Sequence, residues 1–450
     1  MGSPDVQNTK NDSNSTVSET MLAPRRTALV ILASILNAHQ PLDTVLEINP
    51  DFKKLEGRDR AFVRMLVTTT LRRCGEIDAL IQKAQDRPDH PLQPVLKNIL
   101  RLGLAQILFL NVPDHAAVDT SVRLAENQGH AKFKGFVNAV LRNILRNQPD
   151  WSQTLEPEKV NIPLWLYDLW EVEYGPAQTL EMSKASLAEA PLDLTSKDPS
   201  KAKSIAASVG GTILWNGTIR LDPGSGQIPE LEGYRDGSWW VQDMSASLPV
   251  GLMGDLTGKD VIDLCAAPGG KTAQLASKGA YVKSLDRSAR RLERFMDNMR
   301  RLRLESHVEP VTADASVWHP KEQADIVLLD APCTATGTIR RNPDMHLKTE
   351  NDVRKMTGVQ KTLLKNAAAM VKPGGTLIYC TCSLQKEEGE DQIDGFLSGD
   401  VPFRLVPYTA DEVAGHTELI NEDGHIRCLP NMMADSGGMD GFFVARLVRI

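Results

Sequence analysis

The sequence predicts a multidomain chain of mixed class: an all-α bundle in front, a small α+β linker, and a doubly wound, mostly parallel α/β sheet behind. Three observations carry this. Residues 22 to about 150 space their apolar side chains at three and four, the period of an amphipathic helix. From Trp239 onward, short apolar runs alternate with helical stretches, as in strand–helix–strand units. Between these parts lies a stretch, 151–238, in which aromatic residues, Pro and Gly are frequent.

The first twenty residues are polar and rich in Ser, Asn and Thr, and residues 1–21 are expected to be a disordered tail. PRRTALVILASILNA, RDRAFVRMLVTTTLRRCGEIDALI, PVLKNILRLGLAQILFL, HAAVDTSVRLAENQG and FKGFVNAVLRNIL follow as helices, punctuated by Pro41, Pro88, Pro91, Pro113 and Gly129. This gives a helical domain over 22–150. In 151–238, an aromatic-rich helical stretch precedes PLDLTS, KAKSIAASVG and GTILWNGTIRLDP, which read as strand, helix and strand. From 239 to 450 the strands are VIDLC, YVKSLD, VEPVTAD, DIVLLD and TLIYCTC, with an antiparallel closing strand in GMDGFFVARLVRI.

Six sparse cysteines in 450 residues argue against a disulfide framework and for a reducing compartment. Unbroken apolar runs such as ALVILA are too short to span a bilayer, so no membrane partner and a cytoplasmic location are expected. The net charge of −7 counts against nucleic acid as a partner, because phosphate contacts need Lys and Arg. The distribution is uneven, however: Lys283–Arg303 holds eight basic residues against three acidic ones. A solvated helix face is the plain reading of such a run.

The strongest local feature is VIDLCAAPGGKT, Val261–Thr272, in which a strand ends at an acid and a small-residue turn opens a helix. In an open α/β sheet that turn lies where nucleotide-like ligands bind, and Gly269 and Gly270 permit close approach to the backbone. GGKT is not a P-loop, which requires Gly where Cys265 stands. The next strand ends in Asp286, 23 residues after Asp263, near the interval at which an acid grips ribose hydroxyls, and a third strand is followed by Asp314. Three carboxylates at successive strand ends suit an adenosyl ligand with an amino group and no phosphates. S-adenosylmethionine meets that description better than ATP.

The fourth strand ends in LLDAPCTATG and the fifth in YCTCSL, so Cys333 and Cys382 leave adjacent strand ends beside the cofactor turn. A C-x-C pair with few nearby histidines fits neither a zinc site nor a thioredoxin-type redox motif, and no metal is expected. Cys380, inside its strand, reads as a packing residue. A nucleophile makes the most chemical sense of the ensemble. Carbon 5 of a pyrimidine becomes nucleophilic only after a thiolate adds to carbon 6, and a base must then remove the carbon-5 proton. Cys382, Cys333 and Asp330 are the candidates for these roles.

DLCAAPGGKT, DAPCTATG and TCS, in this order, resemble the RNA 5-methylcytosine methyltransferases. The helical front, with DRAFVRMLVTTTLRR and GFVNAVLRNILR, is similar to the NusB-like RNA-binding domain found before the catalytic part in Sun/Fmu (RsmB)-type enzymes, which modify small-subunit (16S) ribosomal RNA. The resemblance implies a Rossmann-like class I methyltransferase domain with a seven-stranded sheet. It implies Cys382 as nucleophile, Cys333 as the group assisting proton removal and release, and Asp330 as a contact of cytosine and cofactor. Cys265, Ala266, Ala267, Pro268, Gly269, Gly270 and Lys271 would form the methionine-side loop, with Asp286 on the ribose, Asp314 near the adenine and Arg291 lining the site. RRNPD, Arg340–Asp344, would be the substrate-side loop, with Asn342 a departure from the more frequent His. In this light the Lys283–Arg303 run and Arg340–Arg341 are candidate phosphate contacts, the partner is small-subunit ribosomal RNA, and a monomer is expected. Three other readings remain: a NusB-like ribosome-assembly factor with an inactive catalytic domain, a methyltransferase acting on another RNA such as tRNA, and a P-loop-like nucleotidase.

Overall fold

The computed structural model describes residues 9–85 and 91–450. They form two compact units: the chain up to Asp168 with Asn342–Leu347, and Leu169–Arg341 with Lys348–Ile450. Of the tail expected over 1–21, residues 1–8 lie outside the described residues, and the remainder belongs to the first helix.

The first unit is helical: α1 (Thr9–Ala38), α2 (Leu42–Ile48), α3 (Pro50–Lys54), α4 (Gly57–Arg72), α5 (Cys74–Ala84), α6 (Pro94–Phe109), α7 (Asp114–Asn127), α8 (Lys134–Ser152) and α9 (Pro157–Val160). Ile31, Leu32 and Ile35 of α1 meet Val63, Leu66 and Val67 of α4, Leu100 and Leu104 of α6, and Leu141 and Ile144 of α8 in one buried core. Met21–Ala38 is long and apolar enough to cross a membrane, but its inward face fills this core. The single helix expected over 58–81 is two, broken at Arg73, where φ is −107° and ψ 17°. Just past the break α5 crosses closely under α9: a Cβ on Gly75 would lie 1.7 Å from the Val160 carbonyl oxygen, so only glycine fits there. Asn342–Leu347 packs within this unit, and Asp344 Oδ2 accepts the Leu42 N–H at 3.0 Å, supplying at the start of α2 a partner that Pro41 does not.

The second unit begins within α10 (Leu164–Tyr174), followed by α11 (Pro176–Ser186). A small antiparallel sheet follows, β1 (Leu192–Ser196), β2 (Thr212–Ile213), β3 (Ile219–Leu221) and β4 (Trp239–Val241), in the order β2-β3-β1-β4 and packed on α12 (Ala202–Val209). β4 begins at the residue after the expected linker boundary and pairs with β1, Leu194 opposite Val241. Buried Arg220 and Asp193, bidentate at 2.7 Å, tie this sheet through Arg220 Nη1 to the carbonyls of Ser436 and Gly438.

The large sheet contains β5 (Asp260–Leu264), β6 (Tyr281–Asp286), β7 (Val308–Thr312), β8 (Ala324–Asp330), β9 (Val371–Thr381), β10 (Phe403–Leu405), β11 (Ile426–Cys428) and β12 (Phe442–Arg449). Seven strands run in the order β10-β12-β9-β8-β5-β6-β7, and β11 adds to β12 as an eighth. β9-β8-β5-β6-β7 are parallel, while β12 is antiparallel to β9, as expected of the closing segment. Side chains alternate between two buried faces, the period-2 signature of a doubly covered sheet. Ile262, Leu264, Val327, Leu329, Leu377 and Tyr379 face α16 (Glu350–Ala369) and α17 (Glu390–Leu397). Val261, Val282, Leu328, Ile378 and Cys380 face α13 (Met244–Gly251), α14 (Gly270–Ser277) and α15 (Ala289–Leu302). The strand order reverses between β5 and β8, which opens a crevice at their carboxyl ends.

Candidate active site

The turn after β5, the ends of β6, β8 and β9 and the cysteines that follow β8 and β9 converge on that crevice. The turn after β5 is held in an unusual backbone: Cys265 has φ 63°, Ala267–Pro268 is cis, and Gly269 has φ 107°. A Cβ at Gly269 would lie 2.6 Å from Phe295 Cδ2, so glycine is required by both φ and space. The Ala266 N–H donates to the Leu285 carbonyl at 2.8 Å, and Arg291 donates to the Ala267 carbonyl while its Nη1 lies 3.1 Å from Asp286 Oδ2. Gly270 opens α14, so the first N–H groups of that helix border the turn.

Asp263 does not reach this surface, contrary to the expectation that three acids face the cofactor. It is buried, and Thr272 Oγ1 donates to its Oδ2 at 2.5 Å, so it anchors the turn from beneath. Burial pushes its carboxyl up to about 7 against the pull of Thr272, with the charge of Asp330 adding to the rise.

A cavity of about 560 Å³ opens beside the turn. Cys265, Asp286, Arg291, Asp314 and Pro332 line one side, and Met356, Val359 and Leu363 of α16 the other. Buried Asp286 stands at the cavity wall with its Oδ2 paired to Arg291 Nη1 and its Oδ1 accepting the Ser288 N–H at 2.9 Å. Asp314 Oδ1 accepts the Ser316 N–H and hydroxyl at 2.8 and 2.6 Å, bonds that hold its carboxyl below the ordinary range. An acid at one wall and apolar side chains at the other fit a nucleoside. Burial pushes the Cys265 thiol up to about 12, so it serves here as neutral lining.

At the β8 and β9 ends the two distant cysteines meet: Cys333 Sγ and Cys382 Sγ are 3.5 Å apart. Asp330 Oδ2 takes a 2.7 Å ion pair from Lys271 Nζ, which also lies 5.0 Å over the Phe442 ring. Burial disfavours the ammonium, but Asp330 outweighs it and holds Lys271 charged. Cys380 is buried and packs as expected, and its thiol also contacts Asp330 Oδ1 at 3.5 Å. The Cys333 thiol is pushed well up by its contact with Cys382, then by burial and by the charge of Glu388.

Arg340 and Arg341, candidate phosphate contacts, are not available for RNA. Arg340 is buried, with Nε 3.0 Å from Asp440 Oδ1. Arg341 Nε lies 2.9 Å from Asp440 Oδ2, and its Nη2 pairs with Asp243. The Lys283–Arg303 run divides likewise. Arg301 donates to the Tyr234 and Trp239 carbonyls, whereas Arg287, Arg290, Arg294 and Arg303 are exposed.

The family model for 16S rRNA methyltransferase RsmB/F matches residues 254–448, and that for the NusB family matches residues 22–146. The chain is 33% identical to a probable ribosomal RNA small subunit methyltransferase B of Synechocystis sp., over 95% of this chain and 99% of that protein. It belongs to the RsmB/F family of 16S rRNA methyltransferases. Ribosomal RNA small subunit methyltransferase B of Cronobacter sakazakii is 31% identical over 94% of this chain and 98% of its own. The crystal structure of PH0851 shares the fold at 24% identity, with a TM-score of 0.74 and coverage of 94% and 98%.

In this RsmB/F enzyme several side chains at the site escaped sequence reasoning. Met356, Val359 and Leu363 carry a helical apolar spacing, but that pattern reads equally as core. Glu388, Gln360 and Arg427, which brace the cysteine loops, carry no sequence signal, because decisive partners are distant: Thr334 lies 54 positions from Glu388, Gln360 lies 28, and Ser383 lies 44 from Arg427.

Proposed function

We propose that the protein methylates carbon 5 of a cytosine in small-subunit ribosomal RNA, with S-adenosylmethionine as donor, through a covalent bond between Cys382 and cytosine carbon 6. The observation that supports this above others is the 3.5 Å approach of Cys333 and Cys382 beside the Lys271–Asp330 pair. A methyltransferase acting on an exocyclic nitrogen or a ribose hydroxyl has no need of two thiols.

Asp286 and the α16 wall would hold the ribose and adenine, and the turn Cys265–Lys271 would border the methionine portion. The bound donor supplies an electrophilic methyl group. The Cys382 thiolate attacks carbon 6, forming the Sγ–C6 bond and placing electron density at carbon 5. Asp330 and Lys271 face the ring, positioned to support protonation at nitrogen 3 and the charge on the carbonyl. Carbon 5 then takes the methyl group. Cys333, as thiolate, removes the carbon-5 proton, the C5–C6 double bond re-forms and the Sγ–C6 bond breaks. Cys333 can take that proton only as a thiolate, so a proton it carries during the attack must first pass to solvent, because Cys382 is by then bonded to carbon 6 and cannot accept it.

The NusB-like helices and the exposed arginines of α15 would hold the RNA. Transfer of a labelled methyl group to ribosomal RNA lacking the modification, with the product identified as 5-methylcytosine, tests the reading. Label on tRNA alone would change the substrate. No label on any RNA would favour a binding protein.

A further inference from the structure

Glu388 is a buried carboxylate that no part of the proposed chemistry uses. Its side chain is nevertheless bonded to both cysteine loops. Thr334, the residue after Cys333, donates its N–H to Oε1 at 3.0 Å and its hydroxyl to Oε2 at 2.5 Å. Ser383, the residue after Cys382, has its hydroxyl 2.5 Å from Oε2 and 2.6 Å from Gln385 Oε1, sharing its one proton between them. Gln360 of α16, the helix that walls the cofactor cavity, donates Nε2 to Oε1 at 3.0 Å and to the Pro332 carbonyl at 2.9 Å. The Glu388 backbone carbonyl accepts the Tyr379 hydroxyl at 2.8 Å, which fixes where the carboxylate can stand.

We propose that Glu388 is the positioning residue that sets the separation of Cys333 and Cys382 by bracing the residue after each. This rests on the two-thiol reading above. A buried carboxyl with this many partners is expensive to leave unsatisfied, so it ties the two loops together. The pair Cys333–Cys382 has no bond of its own strong enough to hold 3.5 Å, since a thiol is a weak donor. The brace does it instead, from the adjacent residue on each side. The titratable groups around Cys333 are Cys382, Tyr379 and Glu388, with Lys271 beyond Cys382; contact with Cys382 and burial push the Cys333 thiol up first, an ionised Glu388 adds to this, and burial in turn raises the Glu388 carboxyl.

Two variants separate geometry from charge. Glu388→Gln removes the charge and mismatches one donor; Ser383→Ala removes one strut and keeps the charge. Each is assayed for methyl transfer to unmodified small-subunit ribosomal RNA, for the pH–rate profile, and for covalent trapping on RNA containing 5-fluorocytosine. Glu388→Gln should lower kcat about 10- to 100-fold with KM for RNA and donor changed less than about threefold, as expected for misplacement of reacting groups. Its thiol-dependent limb should move to lower pH, because a neighbouring negative charge is gone. Ser383→Ala should lower kcat by a smaller factor with the limb unmoved. Both should trap RNA more slowly than the native enzyme.

Variants that melt earlier but keep kcat and the pH profile would make Glu388 merely structural and overturn the inference. If Glu388→Gln does not fold, unchanged kcat in Ser383→Ala does the same. A native enzyme that modifies RNA elsewhere than cytosine carbon 5 overturns the two-thiol reading instead.

Discussion

Cys333 Sγ and Cys382 Sγ lie 3.5 Å apart although 49 positions separate them in the chain. The contact exists because β8 and β9 are parallel neighbours, with Asp330 opposite Cys380, so the residues that follow each strand leave at the same edge.

Cys382→Ala should abolish methyl transfer, with donor affinity changed less than about threefold, because it removes the proposed nucleophile. Cys333→Ala should allow attack and methyl transfer but stall release. It should accumulate a covalent protein–RNA adduct visible on denaturing gels. An adduct with the first variant and none with the second would exchange the two roles.

Asp330→Asn should be inactive and less stable. Lys271 would keep its ammonium in a site shielded from water, with its 2.7 Å partner gone. Breaking such a pair costs about 3–5 kcal/mol when fully buried, and less here because Asp330 is a third exposed. Thermal melting together with methyl transfer checks this, and an active, equally stable variant would contradict it.

Gly269→Ala should lose donor binding and stability together. Its φ of 107° disfavours any side chain, and the new Cβ would sit 2.6 Å from the buried Phe295 ring. A cost of about 1–3 kcal/mol is expected from the strained backbone alone. Calorimetric titration with donor and a thermal melt would show it.

Asp263 gives a pH-dependent prediction. Its carboxyl is raised in the folded protein, from 3.8 to about 7, so the folded state binds the proton more tightly than the unfolded one. An acid raised in this way contributes stability that is present at low pH and lost as pH rises through that window. The stability of the native protein relative to Asp263→Asn should therefore fall between about pH 4 and 7 and level off above, by denaturant titration across that range. A flat difference would mean that the carboxyl titrates normally.

Arg341→Ala and Arg290→Ala should behave oppositely. The first leaves Asp243 and Asp440 buried without one of their cations and should destabilise the fold by about 3–5 kcal/mol. The second, on the exposed face of α15, should leave melting unchanged and weaken RNA binding, reducing the salt slope by about 1.

By itself the sequence determined the classes of element and the cofactor edge. The three-and-four spacing over 22–150 left no alternative to helices, and strand–helix alternation from β5 onward required parallel strands whose carboxyl ends share an edge. That was enough to bring Cys265–Lys271, Asp286, Asp314, Asp330, Cys333 and Cys382 to one crevice, because each lies at or just after a strand end. Local pattern could not decide what any charged residue pairs with. Arg340 and Arg341 looked like phosphate contacts, and Asp263 like a cofactor ligand, until long-range packing placed carboxylates against the first two and buried the third under Thr272. Glu388 was invisible for the same reason: its partners are Thr334, Gln360 and Ser383, drawn from three segments that only the closed sheet assembles. Burial and pairing depend on where distant segments arrive, and only the tertiary structure decides that.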